Sequence, residues 1–501
     1  MSPSKIDAVV IGSGISGLTA AGLLAKNGRK VVIVEQNKKP GGALRRFKRA
    51  GIPFDIGFHY SGGLGQGQIL QVLWEYLGVL AGIKAVPLHP AGCDFLKFRE
   101  SGTEVKAFYS YDLLQNELCR VFPQESAGIE LYLGKIKEIC AKNPFYNLNL
   151  ELTPFLKNFT VSTTSTLADN IISMVSNQEL QAVLAAPAFL HGVSPNQVDI
   201  NMHAVVAHGY YSGAFGIDGG GQAIIDEFVT KLTATGVEII TDSPVENIDI
   251  YDDRVKGLMA GGKKIRTKNV IYTGHPHHLP DLVAKGTFRP AYNNRLKDLT
   301  DTTSMFMVFG TMATPSDLPL LDNSNLYSMN KGLNLFDLPG RTETSRAIML
   351  IAPGRRDHNE SQARQGIILM RPASWQETSQ FTSKDNNRTE GYTAWKTAAT
   401  QNLLDRASET FGDSILEIKP LASASPLTFR DELGSPQGGV YGVQHSINQY
   451  VARARTKVEG LYLSGQGSLM TGLFGSSMAG LITAGELLGM ENIWDKVRNC
   501  H

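Results

Sequence analysis

The sequence predicts an α/β protein: a discontinuous Rossmann-like nucleotide-binding domain joined to a second, α+β lobe. Three observations carry this. The β-branched run Ile6-Asp7-Ala8-Val9-Val10-Ile11 leads directly into Gly12-Ser13-Gly14-Ile15-Ser16-Gly17. A helical stretch follows over residues 18–26, closed by Asn27-Gly28, and then a second run, Lys30-Val31-Val32-Ile33-Val34, ends in Glu35. Finally, 501 residues are too many for one ordinary core, so two or three domains are expected.

Each part of the first segment has a physical task. Gly12 permits the tight turn, Gly14 lets a pyrophosphate approach the backbone, and Gly17 lets the helix pack closely on the sheet. The helix N-terminus presents unpaired N–H groups and a partial positive charge to phosphates. Glu35, 18 residues beyond Gly17, stands where an acid holds both hydroxyls of an adenosine ribose. At this point FAD and NAD are both open as cofactors. Pro40-Gly41-Gly42 tilts the choice towards FAD, because a glycine pair there passes close to the flavin side. Arg45, Arg46, Lys48 and Arg49 follow, and read either as counter-charges to a pyrophosphate or as a solvated loop.

Composition excludes other classes. With 48 basic and 47 acidic residues, formal net charge is +1, which gives no footprint for nucleic acid. Four scattered cysteines, Cys93, Cys119, Cys140 and Cys500, form no CxxC pair, which fits a reducing cytoplasm and no zinc site. No signal peptide is visible, and the stretch 461–485 is too broken by glycine to read as a membrane span. Peripheral membrane contact stays open.

Farther along, Gly51 to Gly63 is too glycine-dense for a helix or central strand, so His59 and Tyr60 sit on a tight, shaped segment. Residues 68–200 read as helical patches with loops, broken at Phe122-Pro123, Asn143-Pro144 and Thr153-Pro154. Asp218-Gly219-Gly220-Gly221 precedes a helix over residues 222–234 stopped by Gly236, and a small sheet with an Asp252-Asp253 hairpin turn follows. His275, His277 and His278 cluster past a strand and read as a strand-end loop near a cofactor rather than a metal site. Residues 300–422 alternate strand-like runs with polar loops, including 383–390, and are expected to floor a substrate pocket. Gly460-Leu461-Tyr462-Leu463-Ser464 is a strand, Gly465-Gln466-Gly467-Ser468 a turn, and residues 473–488 a helix with a small-residue face.

With these segments in hand, the chain resembles the FAD-dependent phytoene desaturases, carotenoid isomerases and retinol saturases, almost end to end. The resemblance rests on the Gly12–Gly17 turn, Glu35, Pro40-Gly41-Gly42, Asp218-Gly219-Gly220-Gly221 and the strand-turn from Gly460 to Gly465. Phe54-Asp55-Ile56-Gly57-Phe58-His59-Tyr60, Leu463-Ser464-Gly465-Gln466 and Gly438-Gly439-Val440-Tyr441-Gly442 are similar to the saturase branch. The chain departs at Ala43, where many amine-oxidase-like relatives carry arginine, and at Gly467, where the saturases carry aspartate.

The resemblance implies a bound FAD, a hydrophobic isoprenoid polyene as substrate and an external electron donor or acceptor. It implies an FAD-binding domain of residues 1–85, 200–285 and 423–501, and a substrate lobe of 86–199 and 286–422. The cofactor set is Gly12, Ser13, Gly14, Ile15, Ser16, Gly17, Glu35, Gln36, Gly41, Gly42, Arg45, Val245, Gly465, Gln466, Gly472 and Leu473. His59 and Tyr60 are the catalytic candidates beside the flavin, with Tyr441 on the opposite wall. The expected chemistry is saturase-like reduction of a carbon–carbon double bond, with desaturation and cis–trans isomerisation as alternatives. A flavin amine oxidase is the rival; it needs an aromatic cage, and none of the four tryptophans lies in the C-terminal turn.

Overall fold

The computed structural model describes residues 6–88, 92–158, 165–312, 324–336, 347–353, 366–383 and 387–500. Its centre is a five-stranded sheet in the order Leu461–Leu463, Val270–Tyr272, Ala8–Ile11, Val31–Val34, Glu238–Ile240. All four pairings are parallel. Parallel strands need crossovers, and helix Ile15–Lys26 supplies the first. Its residues 15–24 are all buried, because the helix lies between the sheet and helix Gly472–Leu488. The two helices approach closely at Gly480, where a Cβ would lie 2.9 Å from Thr19 Cβ. Val9, Val32 and Val34 point to one face of the sheet and Ala8, Val10 and Ile33 to the other, so the strands are buried on both sides.

A small antiparallel sheet, Val245–Tyr251, Arg254–Ala260 and Lys263–Arg266, turns at Asp252-Asp253. Both aspartates have left-handed φ, 49° and 53°, as a two-residue hairpin requires. Residues 178–190 form helix Gln178–Ala185 and then a 3₁₀ turn, Ala186–Leu190, that carries Pro187.

The second lobe is built on a seven-stranded mixed sheet: Lys419–Ala424, Ser304–Thr311, Gly366–Ala373, Ile348–Ile351, Ser324–Met329, Cys93–Phe98, Glu104–Phe108. Helix Tyr392–Phe411 packs on one face, against Phe306, Val308 and Leu350. Helices Tyr111–Val121, Ser126–Ala141, Leu167–Met174, Gln178–Ala185 and Ile200–Tyr211 cover the other, against Leu96, Phe98 and Tyr327.

The structure differs from the sequence reading in three places. Residues 93–108, read among helical patches, form a hairpin of this sheet; its strands are short and mixed in polarity, and Gly102 turns it with a φ of 75°. The basic run after Arg45 is no loop: Arg46–Arg49 pairs antiparallel with Ile52–Asp55. Phe47 and Phe54 stack at 5.5 Å and meet the Phe309 ring edge-on, which anchors that hairpin to the second lobe. Thr153-Pro154 does not interrupt a helix but lies in the first turn of one, Leu152–Asn158, where proline costs no intrahelical bond. Of the expected loop 383–390, residues 384–386 lie outside the described residues.

The helical layer buries histidines. His203, on helix Ile200–Tyr211, bonds the Tyr132 hydroxyl at 3.0 Å and approaches His191 at 3.3 Å. Burial pushes His203 down to about 3 and His191 well below its ordinary value; His208 falls to about 4 and His445 is also lowered, again by burial. These groups stay neutral when folded but take up protons when unfolded, with a pKa of about 6.5. Below that pH the unfolded state binds more protons, so stability falls as pH falls. The urea midpoint should therefore drop from pH 7 to pH 5, each deeply buried histidine contributing about 2 kcal/mol. His203→Gln, which keeps a polar partner for Tyr132 but does not titrate, should flatten that dependence.

Candidate functional site

The C-terminal ends of the parallel strands define the first half of the site. Gly12 leaves its strand with φ +101° and lies so close to Thr273 that a side chain would strike the Thr273 hydroxyl. A Cβ on Gly17 would run into the Gly12 carbonyl oxygen. Gly14 is different: it is the N-cap of helix Ile15–Lys26, and a Cβ there would meet nothing within 4 Å. Two glycines of the turn thus serve packing, and the middle one opens the helix N-terminus to a ligand. Ile15 is buried beneath the turn.

Glu35, buried at the end of its strand, is tied to the turn. Its Oε2 accepts from Ser13 N–H at 3.0 Å and Ser13 Oγ at 2.6 Å. Its Oε1 accepts from Asn37 N–H at 2.8 Å and Asn37 Nδ2 at 2.9 Å. A ribose diol would exchange places with the Ser13 hydroxyl and the Asn37 amide. Gln36 is exposed between them. Val245 starts the small sheet nearby, two residues after Ser243, whose N–H donates to the Glu35 carbonyl at 3.0 Å.

The second glycine pair joins this turn. Gly41 N–H donates to Ser13 Oγ at 3.1 Å, and a Cβ on Gly42 would lie 3.4 Å from Gly14 Cα. The Arg45 guanidinium bonds the Gly42 carbonyl at 3.0 Å and reaches Glu432 at 3.4 Å. Arg46 is spent on Asp55 at 2.8 Å, and the other Asp55 oxygen accepts Gly221 N–H at 3.0 Å. That bond explains Asp218-Gly219-Gly220-Gly221: a side chain on Gly220 would strike Arg46 and Asp55, and one on Gly221 the Leu44 carbonyl.

From the other edge, Gly465 (φ +93°) would place a Cβ 3.0 Å from the Thr273 carbonyl, beside Gly12. Ser16 Oγ and Ser464 Oγ bond at 2.8 Å, and Thr483 donates to Ser464 at 3.0 Å. The Gln466 carbonyl bonds His445 at 2.7 Å. Gly472 begins helix Gly472–Leu488 with open space at its Cβ, and Leu473 is buried behind it. Open positions at Gly14 and Gly472, two helix N-termini and a buried acid fit a dinucleotide.

The catalytic candidates lie where this edge meets the second lobe. The segment bearing His59 and Tyr60 is fixed by a two-way backbone bridge between Ser61 and Phe215, both bonds 2.8 Å, and by Gly62 pressed on Gly209. His59 is half-buried. The Tyr60 hydroxyl reaches Asp94 at 3.2 Å and Tyr327 at 3.3 Å, and its ring stands edge-on to Tyr210. Burial first, then Asp94, hold Tyr60 protonated far above neutral pH. Tyr441 is placed by its N–H to Thr302 Oγ1 at 3.1 Å; burial pushes its phenol up to about 12, and it lies within electrostatic reach of Tyr210 and Tyr327. Tyr60, Tyr210 and Tyr327 form one tyrosine cluster.

Tyr210 and Tyr327 of that cluster also line a narrow cavity of about 30 Å³ between the mixed sheet and its helical cover. Leu96, Leu114, Leu118, Val183 and Leu190 make its walls; Asp94, Tyr109, Tyr210 and Tyr327 make its polar end. The sequence reading missed Asn37, Asp94, Tyr109, Asn325 and Tyr327. Only Asp94 left a signal, an acid at the start of an apolar strand. The three clustered histidines each have their own partner: His275 Nε2 lies 2.9 Å from Asp301, His277 bonds the Lys297 carbonyl and His278 that of Gly434. Among the described residues no group of His, Cys, Asp and Glu is arranged to hold a metal.

A parallel sheet with two glycine turns at its carboxyl edge, joined to a second lobe, is a dinucleotide-binding architecture. Residues 15–368 match the family of flavin containing amine oxidoreductases, and the chain belongs to that family. It is therefore a flavin-dependent enzyme. The chain is 25% identical over 534 residues to an all-trans-retinol 13,14-reductase of Danio rerio, covering 98% of this chain and 87% of that one. A chloroplastic prolycopene isomerase of Daucus carota is 26% identical over 282 residues, 53% of this chain and 46% of its own length. The crystal structure of an oxidoreductase from Methanosarcina mazei superposes with a TM-score of 0.67 at 15% identity, over 95% of this chain and 99% of that one, a likeness of fold.

The glycine geometry separates folding from cofactor binding. Gly14→Val should fold, since its side chain enters open space, yet lose flavin absorbance because it fills the place of the pyrophosphate. Circular dichroism with flavin content measures both. Full flavin retention would refute the assignment of Gly14.

Proposed function

We propose that the protein is an FAD-dependent oxidoreductase that reduces a carbon–carbon double bond of a hydrophobic isoprenoid polyene. The observation that carries this is the apolar cavity whose lining residues Asp94 and Tyr327 are bonded to Tyr60, on the segment that follows Asp55. Its apolar walls suit hydrocarbon rather than a small polar molecule. Near-full-length likeness to an all-trans-retinol 13,14-reductase supports the same reading.

Saturating a double bond adds a hydride to one carbon and a proton to the other. A bound FAD supplies the hydride chemistry. The chain orients the polyene, excludes water and holds a proton. The Tyr60 hydroxyl, kept protonated by burial, and the half-buried His59 imidazole are the proposed donors, with Tyr441 as a third candidate. Continued turnover draws on an external electron donor.

Such a substrate is insoluble in water, and a membrane surface is its proposed source. No helix among the described residues is long and apolar enough to cross a membrane. Leu113, Leu131 and Ile172 are exposed on the helices that cover the mixed sheet, which favours peripheral contact through that layer. In the basic run that follows the second glycine pair, Arg45 and Arg46 are engaged internally; Lys48 and Arg49 stay exposed.

The direction is tested by photoreducing the protein without oxygen, adding all-trans-retinol or a carotenoid, and weighing the product. A gain of two hydrogens is expected. Loss of two hydrogens with the oxidised protein would mark a desaturase, and unchanged mass with altered double-bond geometry an isomerase.

A further inference from the structure

The two faces of the mixed sheet are built from different side chains. On the face under the helical cover, Met305, Met307, Met329, Met349 and Met370 are all buried in the core. The opposite face is filled by Phe306, Val308, Ile348, Leu350, Ile367 and Leu369, the kinds of side chain that give strands a fixed surface. Register sets three of the methionines in a line across adjacent strands. Tyr327 pairs with Met349, Met349 with Met370, and Met370 with Met307. Leu96 continues the line beyond Tyr327, and Ala424, on the edge strand, ends it beyond Met307. Leu96 and Tyr327 also line the cavity under the cover, so the methionines extend from that cavity towards the edge of the sheet. Met470, two residues before Gly472, packs in the same core and joins it to the nucleotide side. The cavity itself holds only about 30 Å³. A site for an organic ligand needs about 300 Å³ or more, so a polyene enters only as the side chains around the cavity move. Branched side chains are stiff, whereas methionine has three rotatable bonds and a polarisable sulfur and repacks at little cost.

We propose that Met307, Met349 and Met370 form a deformable bed for the hydrocarbon chain and set its shape specificity, so that straight all-trans and bent cis polyenes bind with similar affinity. The inference rests on the reading of this chain as a polyene enzyme. A rigid apolar surface discriminates by shape, because a bent chain leaves voids against it on one side and clashes with it on the other. A row of thioethers follows either outline, each side chain exchanging one set of dispersion contacts for another. The three methionines stand on neighbouring strands about 4.8 Å apart, which gives an extended chain successive side chains to lie on.

The test uses holoprotein labelled with carbon-13 in its methionine methyl groups, with the all-trans and 9-cis isomers of retinol and of β-carotene as probes. Methyl resonances are assigned by single Met→Leu variants. Those of Met307, Met349 and Met370 should shift when either isomer of a binding probe is added, and that of Met312, buried in the core of the opposite face, should not. Dissociation constants, read from quenching of tryptophan fluorescence, should agree within about threefold between the two isomers. Met307→Ile, Met349→Ile and Met370→Ile together keep the row apolar but stiffen it, and should open a gap of about tenfold between the isomers. Flavin content and circular dichroism check that this variant folds; Met370→Ile alone, in the middle of the row, should open part of the same gap and serves in its place if it does not. Binding of both isomers with those three resonances unmoved would overturn the bed and leave the polyene reading standing. So would a wild-type protein that already separates the isomers tenfold, or isoleucine variants that still fail to separate them. If none of the four probes binds, both fall.

Discussion

The structure depends on one steric constraint: three segments far apart in sequence must meet at the carboxyl edge of the parallel sheet with almost no side chains between them. Thr273 is the meeting point. Gly12 lies against its hydroxyl and Gly465 against its carbonyl, and each takes a left-handed φ to do so. Gly42 closes on Gly14 from the side. Larger residues at these contacts would push the turns apart and move both helix N-termini off the edge. The Ser16–Ser464–Thr483 bonds then hold the two helices behind the turns in fixed relation.

A buried ion pair braces this frame beside the place where the second lobe attaches. Asp55 binds Arg46 and Gly221 N–H together, which joins the hairpin after Gly42 to the helix Gly220–Ala234. The same hairpin carries Phe47 and Phe54 into contact with Phe309 of the mixed sheet. A buried pair of this kind adds little net stability but strongly resists loss of either partner. Its consequence is positional: the segment that leaves Asp55 runs straight to His59 and Tyr60. Tyr60 is thus carried from the nucleotide side to Asp94 and Tyr327 of the mixed sheet.

Much of the first half of the site was legible in the sequence because its chemistry is local. Gly12, Gly14, Gly17 and Glu35 fall within one strand–turn–helix–strand unit, and spacing alone gives each a role. The second half was not, because it is assembled by sheet register. Asp94 becomes a neighbour of Asn325 only through a parallel pairing across more than two hundred residues. The strand of Asp94 was itself hidden in a short hairpin read among helical patches. Arg46 was visible as a charge, but its partner was set by an antiparallel turn at Ala50-Gly51 that requires two left-handed residues, one of them not glycine. His59 and Tyr60 were found by motif; that Tyr60 joins Tyr327 and Asp94 was set by the fold.

The claim on which the account turns is that this carboxyl edge holds a flavin through its adenosine and pyrophosphate. The most direct measurement is to denature the purified protein and identify the released flavin by chromatography. The account predicts stoichiometric FAD, because Glu35 and the open Gly14 position serve the adenosine half of the molecule. Release of FMN, or of no flavin from well-folded protein, would contradict it.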